Sequence, residues 1–391
     1  MPDVYISRQP LVNRQSKIIA TRLTLHRVAG ATTSDAAAAL AALADFWPQG
    51  EKLVFINSGQ TPCDAALLDW PLPANATIEV DSGSLSGPHA APLIAALQAA
   101  QPSLCLRFDS QTPAALESGV SLRFIALDAR CQTPAQLKSL ALALQPHAIV
   151  LAFNVDDSAA FQACLAAGVN AAASWFFKKP TQAPGKALNS GQAQIIRVLN
   201  LVRKNGDIRD IEAALKQDVA LSYKLLRYIN SVGFGLSCEV QSFRHAVSIL
   251  GYDKLNKWLS LLLVTASRDP MAPALMHTAL TRARLMEVLA QGLVEKAEYD
   301  NLFITGAFSL LDVLLGVSME RVLESMSLPE SISDALLGYG GVYGPFLDLA
   351  RASENGDADL LAEQVALLGL SAGEFNRAQL QALAFADTME L

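Results

Sequence analysis

Oxygen-bearing side chains follow five of the β-type runs in the first half of this chain. If these runs are parallel strands of one barrel, their carboxyl ends meet on the face where barrel enzymes carry out their chemistry. Carboxylate and amide oxygens there suit a hard divalent cation with a bound water, the arrangement of a metal-assisted phosphodiester hydrolase. The five residues are Asn57, Glu79, Asp109, Asp128 and Asp156.

A local structural role is the competing interpretation of these residues. Asp and Asn at the end of a strand routinely cap the following helix or shape the turn. On the pattern alone the local role is preferred, and the metal site stays open.

The elements that must position these residues alternate between strand and helix. Eight runs, from "VYISRQ" at Val4 to "AAASWFF" at Phe177, are rich in branched and aromatic residues, and Ala/Leu-rich helical runs lie between them. This order is typical of a parallel sheet with crossover helices, and about seven such units favour a closed (β/α) barrel. The segment is shorter than the roughly 250 residues usual for that fold, so we expect a compressed TIM-like barrel.

The strand pattern stops after a polar stretch that contains Pro, Gly and Ser. Downstream, "GDIRDIEAALKQD" has Asp207 as a helix N-cap, and "SFRHAVSILG" predicts a helix that ends at Gly251. We therefore predict an α/β barrel domain over residues 1–180, a linker over 181–192 and an all-α domain over 193–391.

Composition narrows the functional classes. An apolar fraction of 51% indicates a globular chain, and a net charge of −7 argues against nucleic acid as a partner. Five scattered cysteines without a CxxC pair suit a reducing compartment. No secretory signal opens the sequence, and the most apolar window, "WLSLLLVTA", is too short to span a membrane. We expect a cytoplasmic protein with no membrane partner.

A family resemblance adds to this interpretation. The opening "RQPLVNRQSKIIATRL" resembles the start of bacterial EAL domains, particularly divergent EAL modules fused to a C-terminal HDOD domain, and "LVFINS", "TIEV", "FIALD" and "AAGVNAAASWFFKKP" continue it. The second half, from "IIRVLNLVRKNGDIRDIEAALKQD" onwards, resembles an HDOD domain. The resemblance implies a signal-transduction protein with an EAL-like barrel followed by a helical HDOD domain.

Several catalytic positions of the EAL family are changed in this chain. The resemblance implies hydrolysis of cyclic di-GMP by a pair of metal ions in active members. The family's signature Glu falls on Arg22, and its two adjacent Asp residues fall on Arg107 and Phe108. A Lys and a Gln fall on Ala126 and Ala173. A guanidinium cannot ligate a metal ion, and like charges at about 4 Å repel by roughly 4 kcal/mol at an effective dielectric of 20.

Other positions of the family pattern are kept. Asn57, Glu79 and Asp128 match it, and Asp156 stands where the family has a Glu. Together with Arg22 and Arg107 these residues predict a vestigial pocket at the barrel mouth. We predict no catalytic residue, no metal and no cofactor there.

Three uses of this pocket remain open. In the first, which we prefer, the two arginines pair with Glu79, Asp128 or Asp156 as an internal salt-bridge network. In the second, they bind the phosphates of cyclic di-GMP in a non-hydrolysing receptor. The third use is a residual phosphodiesterase that employs Asn57, Glu79 and Asp128 with Asp109 or Asp156.

The helical half also lacks its implied metal ligands. HDOD domains resemble HD phosphohydrolases, whose His-Asp dipeptide falls here on about Ser309 and Leu310, while His277 and Asp312 stand alone. We therefore predict a non-catalytic regulatory protein that acts through contacts with a protein partner, and a homodimer stays open.

Overall fold

A computed structural model describes most of the chain as a barrel region followed by a helical region. The predicted linker and the predicted helix "VALSYKLLRYINS" lie largely outside the described residues. The described residues are 4–28, 31–60, 62–87, 90–109, 113–179, 188, 190–216, 243–265 and 269–389.

Eight strands close into a barrel in chain order, and β8 returns to β1. Each predicted β-type run contains one of them, so the compressed TIM-like barrel is confirmed. The strands are β1 Val4–Asn13, β2 Ile18–Arg27, β3 Leu53–Asn57, β4 Ala76–Asp81, β5 Ser103–Arg107, β6 Phe124–Asp128, β7 Ile149–Phe153 and β8 Ala171–Ala173.

The first strand departs from the parallel sheet that the alternation predicts. β1 runs antiparallel to both β2 and β8, whereas the pairs from β2 to β8 are parallel. The cause is the short turn between β1 and β2, since a parallel connection needs a crossover of a dozen or more residues. The Asn13 side chain holds this turn by accepting hydrogen bonds from the backbone N–H groups of Gln15 and Lys17, both at 3.0 Å.

Short connections explain how the barrel fits into fewer residues than usual. Single 3₁₀ segments, Ala65–Leu68 and Pro113–Glu117, stand between β3 and β4 and between β5 and β6. α-Helices follow β2, β4, β6 and β7. They are α1 Thr33–Ala41, α2 Ser82–Ser86, α3 Ala90–Ala100, α4 Pro134–Leu144 and α5 Ser158–Ala166.

The barrel interior is filled by apolar side chains. Because alternate residues of a strand face the same side, every strand except β4 contributes one or two inward positions to this layer. Phe55 and Phe124 meet there with their ring centroids 5.1 Å apart. The layer consists of Leu11, Ala20, Phe55, Cys105, Phe124, Ala126, Leu151, Ala171 and Ala173.

The second half is helical, as predicted. Asp207 caps α7 by accepting a hydrogen bond from the Arg209 backbone N–H at 2.8 Å, and Gly251 interrupts α8 with φ of +74°. None of the helices in the described part of the chain is long and apolar enough to cross a bilayer. The helices are α6 Ser190–Arg203, α7 Ile208–Lys216, α8 Phe243–Val264, α9 Ala272–Leu289, α10 Tyr299–Phe308, α11 Leu311–Leu315, α12 Met319–Glu324, α13 Glu330–Leu337, α14 Gly344–Asn355, α15 Ala358–Leu367 and α16 Ala372–Thr388.

The compact units of the chain divide it at other positions than the predicted domain over 193–391. Unit 1 consists of residues 1–179 with residues 351–384, and unit 2 consists of residues 180–350 with residues 385–391. The end of α14, all of α15 and most of α16 therefore belong with the barrel. We call residues 351–384 the C-terminal segment.

The antiparallel start of the barrel explains where the C-terminal segment packs. β1 pairs with β8 only over Leu11–Asn13. On that side, the backbone groups in the first half of β1 have no partner strand within the residues that the structure describes. Asn376 accepts from the Ile6 N–H at 3.0 Å and donates to the Val4 carbonyl at 2.7 Å. Gln379 donates to the Ile6 carbonyl at 2.8 Å. Side-chain amides of α16 thus satisfy a strand edge that would otherwise be open to association.

A buried ion cluster fastens the same segment to the barrel. Glu354 accepts hydrogen bonds from Arg8 at 2.7 Å and from Lys178 at 2.8 Å, and the Glu354 side chain is 0% exposed. Both cations also lie over the ring of Trp175, at 5.4 Å for Arg8 and 4.4 Å for Lys178. A carboxylate withdrawn from water needs such counter-charges, so the cluster ties residues far apart in sequence.

Replacement of this carboxylate tests the fastening. In the full chain, we expect Glu354→Gln to lower the free energy of unfolding of the barrel unit by about 3–5 kcal/mol, because Arg8 then remains buried without its counter-charge. Urea denaturation followed by tryptophan fluorescence measures this loss. The matched control is Asp156→Asn, which breaks the solvent-exposed pair with Arg130 and should leave the unfolding midpoint unchanged. Equal midpoints for the two variants would contradict a fastening role for Glu354.

Candidate functional site

A layer of polar and aromatic side chains lies at the barrel mouth, the end where the parallel strands finish. It consists of inward-facing residues two positions beyond the apolar layer, because side-chain direction repeats every second residue along a strand. Two of its members are Gln9 on β1 and Glu79 on β4. The other members are Arg22 on β2, Asn57 on β3, Arg107 on β5, Asp128 on β6 and Phe153 on β7.

Arg22 and Glu79 form an ion pair in this layer. The Arg22 Nε donates to both carboxylate oxygens of Glu79, at 2.7 and 2.9 Å, and Nη1 reaches the Gln9 Oε1 at 3.5 Å. The guanidinium lies 6.0 Å from the ring centroid of Phe153. Burial opposes the charge of Arg22, but pairing with Glu79 outweighs it and raises the arginine's pKa. Arg22 therefore remains a permanent cation inside the barrel.

Asn57 completes the coordination of the same carboxylate. Its Nδ2 donates to the Glu79 Oε2 at 2.9 Å, and its Oδ1 accepts from the Gly59 backbone N–H at 3.0 Å. Asn57 and Glu79 are both buried. Two of the three retained positions of the EAL pattern thus bond to each other, and Glu79 also bonds to Arg22.

Arg107 takes a different position from Arg22. Its guanidinium carbon lies 5.8 Å from the ring centroid of Phe153, and its backbone carbonyl accepts from the Ser82 hydroxyl at 3.2 Å. The Arg107 Nε is buried and has no hydrogen-bond partner among the described residues. The aromatic face thus provides the main packing surface for this guanidinium.

A cleft of about 490 Å³ opens beside Arg107. Its charged lining consists of Asp81, Asp109 and Asp128 with Arg107, so carboxylates outnumber the guanidinium by three to one. Asp81 also caps α2 by accepting from the Ser84 backbone N–H at 2.8 Å and from its hydroxyl at 2.7 Å. The local capping role considered for strand-end acids therefore applies to Asp81.

Asp128 likewise makes local hydrogen bonds. Its Oδ1 accepts from the Arg130 backbone N–H and its Oδ2 accepts from the Asn154 Nδ2, both at 3.0 Å. These contacts shape the turn after β6 and link it to the end of β7.

The structure separates Asp156 from the predicted pocket. Asp156 follows β7 by three residues, after Asn154 with its left-handed φ of +57°, and its side chain is 54% exposed. It pairs with Arg130 at 2.5 Å, not with Arg22 or Arg107. The hydrogen bond from Arg130 lowers the pKa of Asp156. The structure thus does not bring Asp156 together with the other mouth residues.

Four contributors to the site were missed from the sequence. Phe153 could have been found by counting inward positions along the β7 run. Gln9 pairs in register with Arg22, but only because β1 is antiparallel to β2. Arg130 and Asn154 lie in turns, where strand alternation predicts no side-chain direction.

The substituted positions of the EAL pattern supply no oxygen ligands. Ala126 and Ala173 lie in the apolar layer, and Phe108 lines the cleft. In the part of the chain that the structure describes, no three His, Cys, Asp or Glu side chains are grouped so that they could hold a metal ion. The residues at the mouth do not fit the pair of metal ions that the EAL resemblance implies.

Ser309 and Leu310, at the position of the HD dipeptide, have structural roles in the helical unit. The Ser309 hydroxyl accepts from the Arg282 Nη1 at 2.9 Å and donates to the Gly306 carbonyl at 2.7 Å, while Leu310 is buried. His277 lies elsewhere, with its Nε2 2.8 Å from the Asp387 carboxylate. Ser309 and His277 thus each have a structural partner.

Two bacterial relatives resemble about half of the chain. A protein named cyclic di-GMP phosphodiesterase CdgJ, from Vibrio cholerae, is 31% identical over 208 residues, which cover 53% of this chain and 48% of the relative. The uncharacterized protein YuxH of Bacillus subtilis is 25% identical over 219 residues, which cover 55% and 53%. The matched region therefore spans about half the length of each relative.

Solved EAL domains are among the structural neighbours. The EAL domain of FimX from Pseudomonas aeruginosa, bound to c-di-GMP, matches 45% of this chain and 90% of its own, with 16% identity and a TM-score of 0.34. BlrP1 from Klebsiella pneumoniae, in a calcium and cy-diGMP complex, matches 45% and 55%, with 16% identity and a TM-score of 0.37.

The helical unit has a direct family match. Residues 188–321 match the HDOD domain family, from just before α6 into α12. The match agrees with the resemblance seen in the sequence, over a shorter range than the predicted 193–391. Residues 188–321 of this chain are therefore similar to HDOD domains.

Proposed function

We propose that this chain is a bacterial signal-transduction protein that acts through protein contacts and whose barrel does not hydrolyse cyclic di-GMP. One observation carries the proposal: the Arg22 guanidinium occupies both carboxylate oxygens of Glu79. The HDOD domain and the cyclic di-GMP phosphodiesterase from Vibrio cholerae among the relatives support the signalling context.

The charge balance at the mouth supports the loss of hydrolysis. A metal-assisted phosphodiesterase needs free carboxylates to hold its cations and an activated water. Here Arg22 already supplies the positive charge that Glu79 requires, and Asn57 takes a further lone pair of the same carboxylate. Asp156 is held by Arg130 at the surface. A divalent cation at this position would have to displace Arg22 and be repelled by its charge.

The same balance disfavours the cyclic di-GMP receptor. The ligand carries negatively charged phosphodiester groups, and the cleft beside Arg107 presents the carboxylates of Asp81, Asp109 and Asp128. Repulsion from three carboxylates outweighs attraction to one guanidinium. Protein contacts are therefore the function that this surface supports best.

The helical unit supports the same conclusion. Arg282 is buried and holds Ser309, so the position that the HD resemblance assigns to a metal ligand is part of the packed interior. A module built in this way offers a rigid surface in place of an active site.

Residual hydrolysis is the competing function, because the Vibrio cholerae relative is named as a phosphodiesterase. We expect the purified full chain to give no linear dinucleotide product from cyclic di-GMP in Mg²⁺ or Mn²⁺, since no three His, Cys, Asp or Glu side chains among the described residues are grouped to hold a metal ion. Chromatography of the reaction mixture, with an active EAL phosphodiesterase as a positive control, measures this. Metal-dependent turnover that is lost in a Glu79→Gln variant would overturn the proposal.

Paired substitutions test whether the ion pair now serves the fold. We expect Arg22→Met alone to reduce the free energy of unfolding by about 3–5 kcal/mol, because Glu79 is then buried without a counter-charge. The double variant Arg22→Met, Glu79→Leu should recover most of that loss, since apolar residues of similar volume often replace a buried pair at little cost. Chemical denaturation of the single and double variants measures both effects. A double variant no more stable than Arg22→Met would show that Glu79 has essential partners besides Arg22.

A further inference from the structure

Positive charge is concentrated in one stretch of this acidic chain. The net charge is −7, yet the sequence between Asp157 and Asp207 has no acidic residue and six basic ones. Three of the six, Arg197, Arg203 and Lys204, lie on or directly after α6 in the helical unit. The unit therefore has a locally basic face that the overall charge conceals.

A groove of about 350 Å³ lies along this helix. Leu188, Ile196 and Leu201 provide its apolar lining, and the exposed side chains of Arg197 and Lys204 border it. Seven residues separate the two cations, which is about 10 Å along a helix axis. The groove thus combines an apolar floor with two cations spaced by two helical turns.

Hydrogen bonds hold the far wall of the groove in place. The Asn200 carboxamide donates to the Ser325 carbonyl and accepts from the Ser327 backbone N–H, both at 2.8 Å. Ser325 itself lines the groove. A wall fixed in this way lowers the ordering cost of binding, because the groove does not have to form on contact.

Arg203 lies on the same helix but is not among the residues that line the groove. Its Nε and Nη2 are buried and have no hydrogen-bond partner among the described residues, and Nη1 makes only a long 3.5 Å contact with the Ser327 carbonyl. Burial lowers the pKa of Arg203 to about 10, so the side chain remains protonated at neutral pH. A buried cation of this kind favours a negatively charged group nearby.

We propose that this groove binds an acidic amphipathic helix of a partner protein, with apolar side chains on the floor and carboxylates against Arg197 and Lys204. The inference rests on the proposed action through protein contacts and names the chemistry of the partner. An amphipathic helix laid in a groove presents apolar residues three and four positions apart with charges at the edges, which matches this lining. Nucleic acid is disfavoured, because its binding depends on many phosphate contacts and gains little from an apolar floor.

Peptide binding to the purified full chain tests the inference. The probe is a fluorescein-labelled 15-residue peptide with leucines three and four residues apart and glutamates between them, and its binding is measured by fluorescence anisotropy. We expect Arg197→Glu to weaken binding by about tenfold, because like charges then face each other. The matched control Arg209→Glu reverses an exposed cation on α7, outside the groove lining, and should change affinity by less than about twofold. Circular dichroism shows that both variants remain folded.

Further measurements distinguish binding in the groove from binding by charge alone. A peptide with glutamines in place of the leucines keeps its charge and should lose binding. Absence of binding by the original peptide, or equal weakening by Arg197→Glu and Arg209→Glu, would overturn the proposal. So would tighter, Arg197-dependent binding of a 15-nucleotide oligothymidine. Because the hydrolysis assay reads only the barrel, a failure here without turnover of cyclic di-GMP leaves the proposed function intact.

Discussion

The ion pair between Arg22 and Glu79 sets the character of the barrel mouth. A carboxylate buried in the interior requires a positive charge beside it, and either a metal ion or a guanidinium meets that requirement. In this chain the cation is covalently part of β2 and occupies both oxygens of Glu79. Glu79 therefore already has its counter-charge within the chain. The strands persist because the apolar layer beneath them still needs to be enclosed.

The same constraint recurs elsewhere in the molecule. Glu354 is buried between Arg8 and Lys178, and this neutralisation ties the C-terminal segment to β1. In the helical unit, Lys257 lies between Glu287 at 2.5 Å and Asp300 at 3.0 Å. Ion pairs therefore neutralise charged side chains inside both units. The groove along α6 differs, because Arg197 and Lys204 at its border have exposed side chains.

Local patterns were sufficient to predict most elements. The β-type runs identified all eight strands because branched and aromatic residues cluster in them, and inward alternation placed Arg22, Asn57 and Glu79 at one level of the barrel. The antiparallel direction of β1 was missed because the alternating pattern alone does not show it, although the short connection from Asn13 to Ile18 excludes a parallel crossover. The position of the C-terminal segment was equally hidden, because the Asn376 bonds to Val4 and Ile6 join residues about 370 positions apart. Turn residues such as Arg130 carried no periodic signal at all.

Manganese binding tests the central claim most directly. Electron paramagnetic resonance of Mn²⁺ titrated with the purified full chain reports free metal without requiring any catalysis. If Arg22 fills the cation position at Glu79, the free Mn²⁺ signal should remain at its buffer level up to millimolar protein. Depletion of the signal by two ions per chain, abolished by Glu79→Gln, would contradict this account of the barrel.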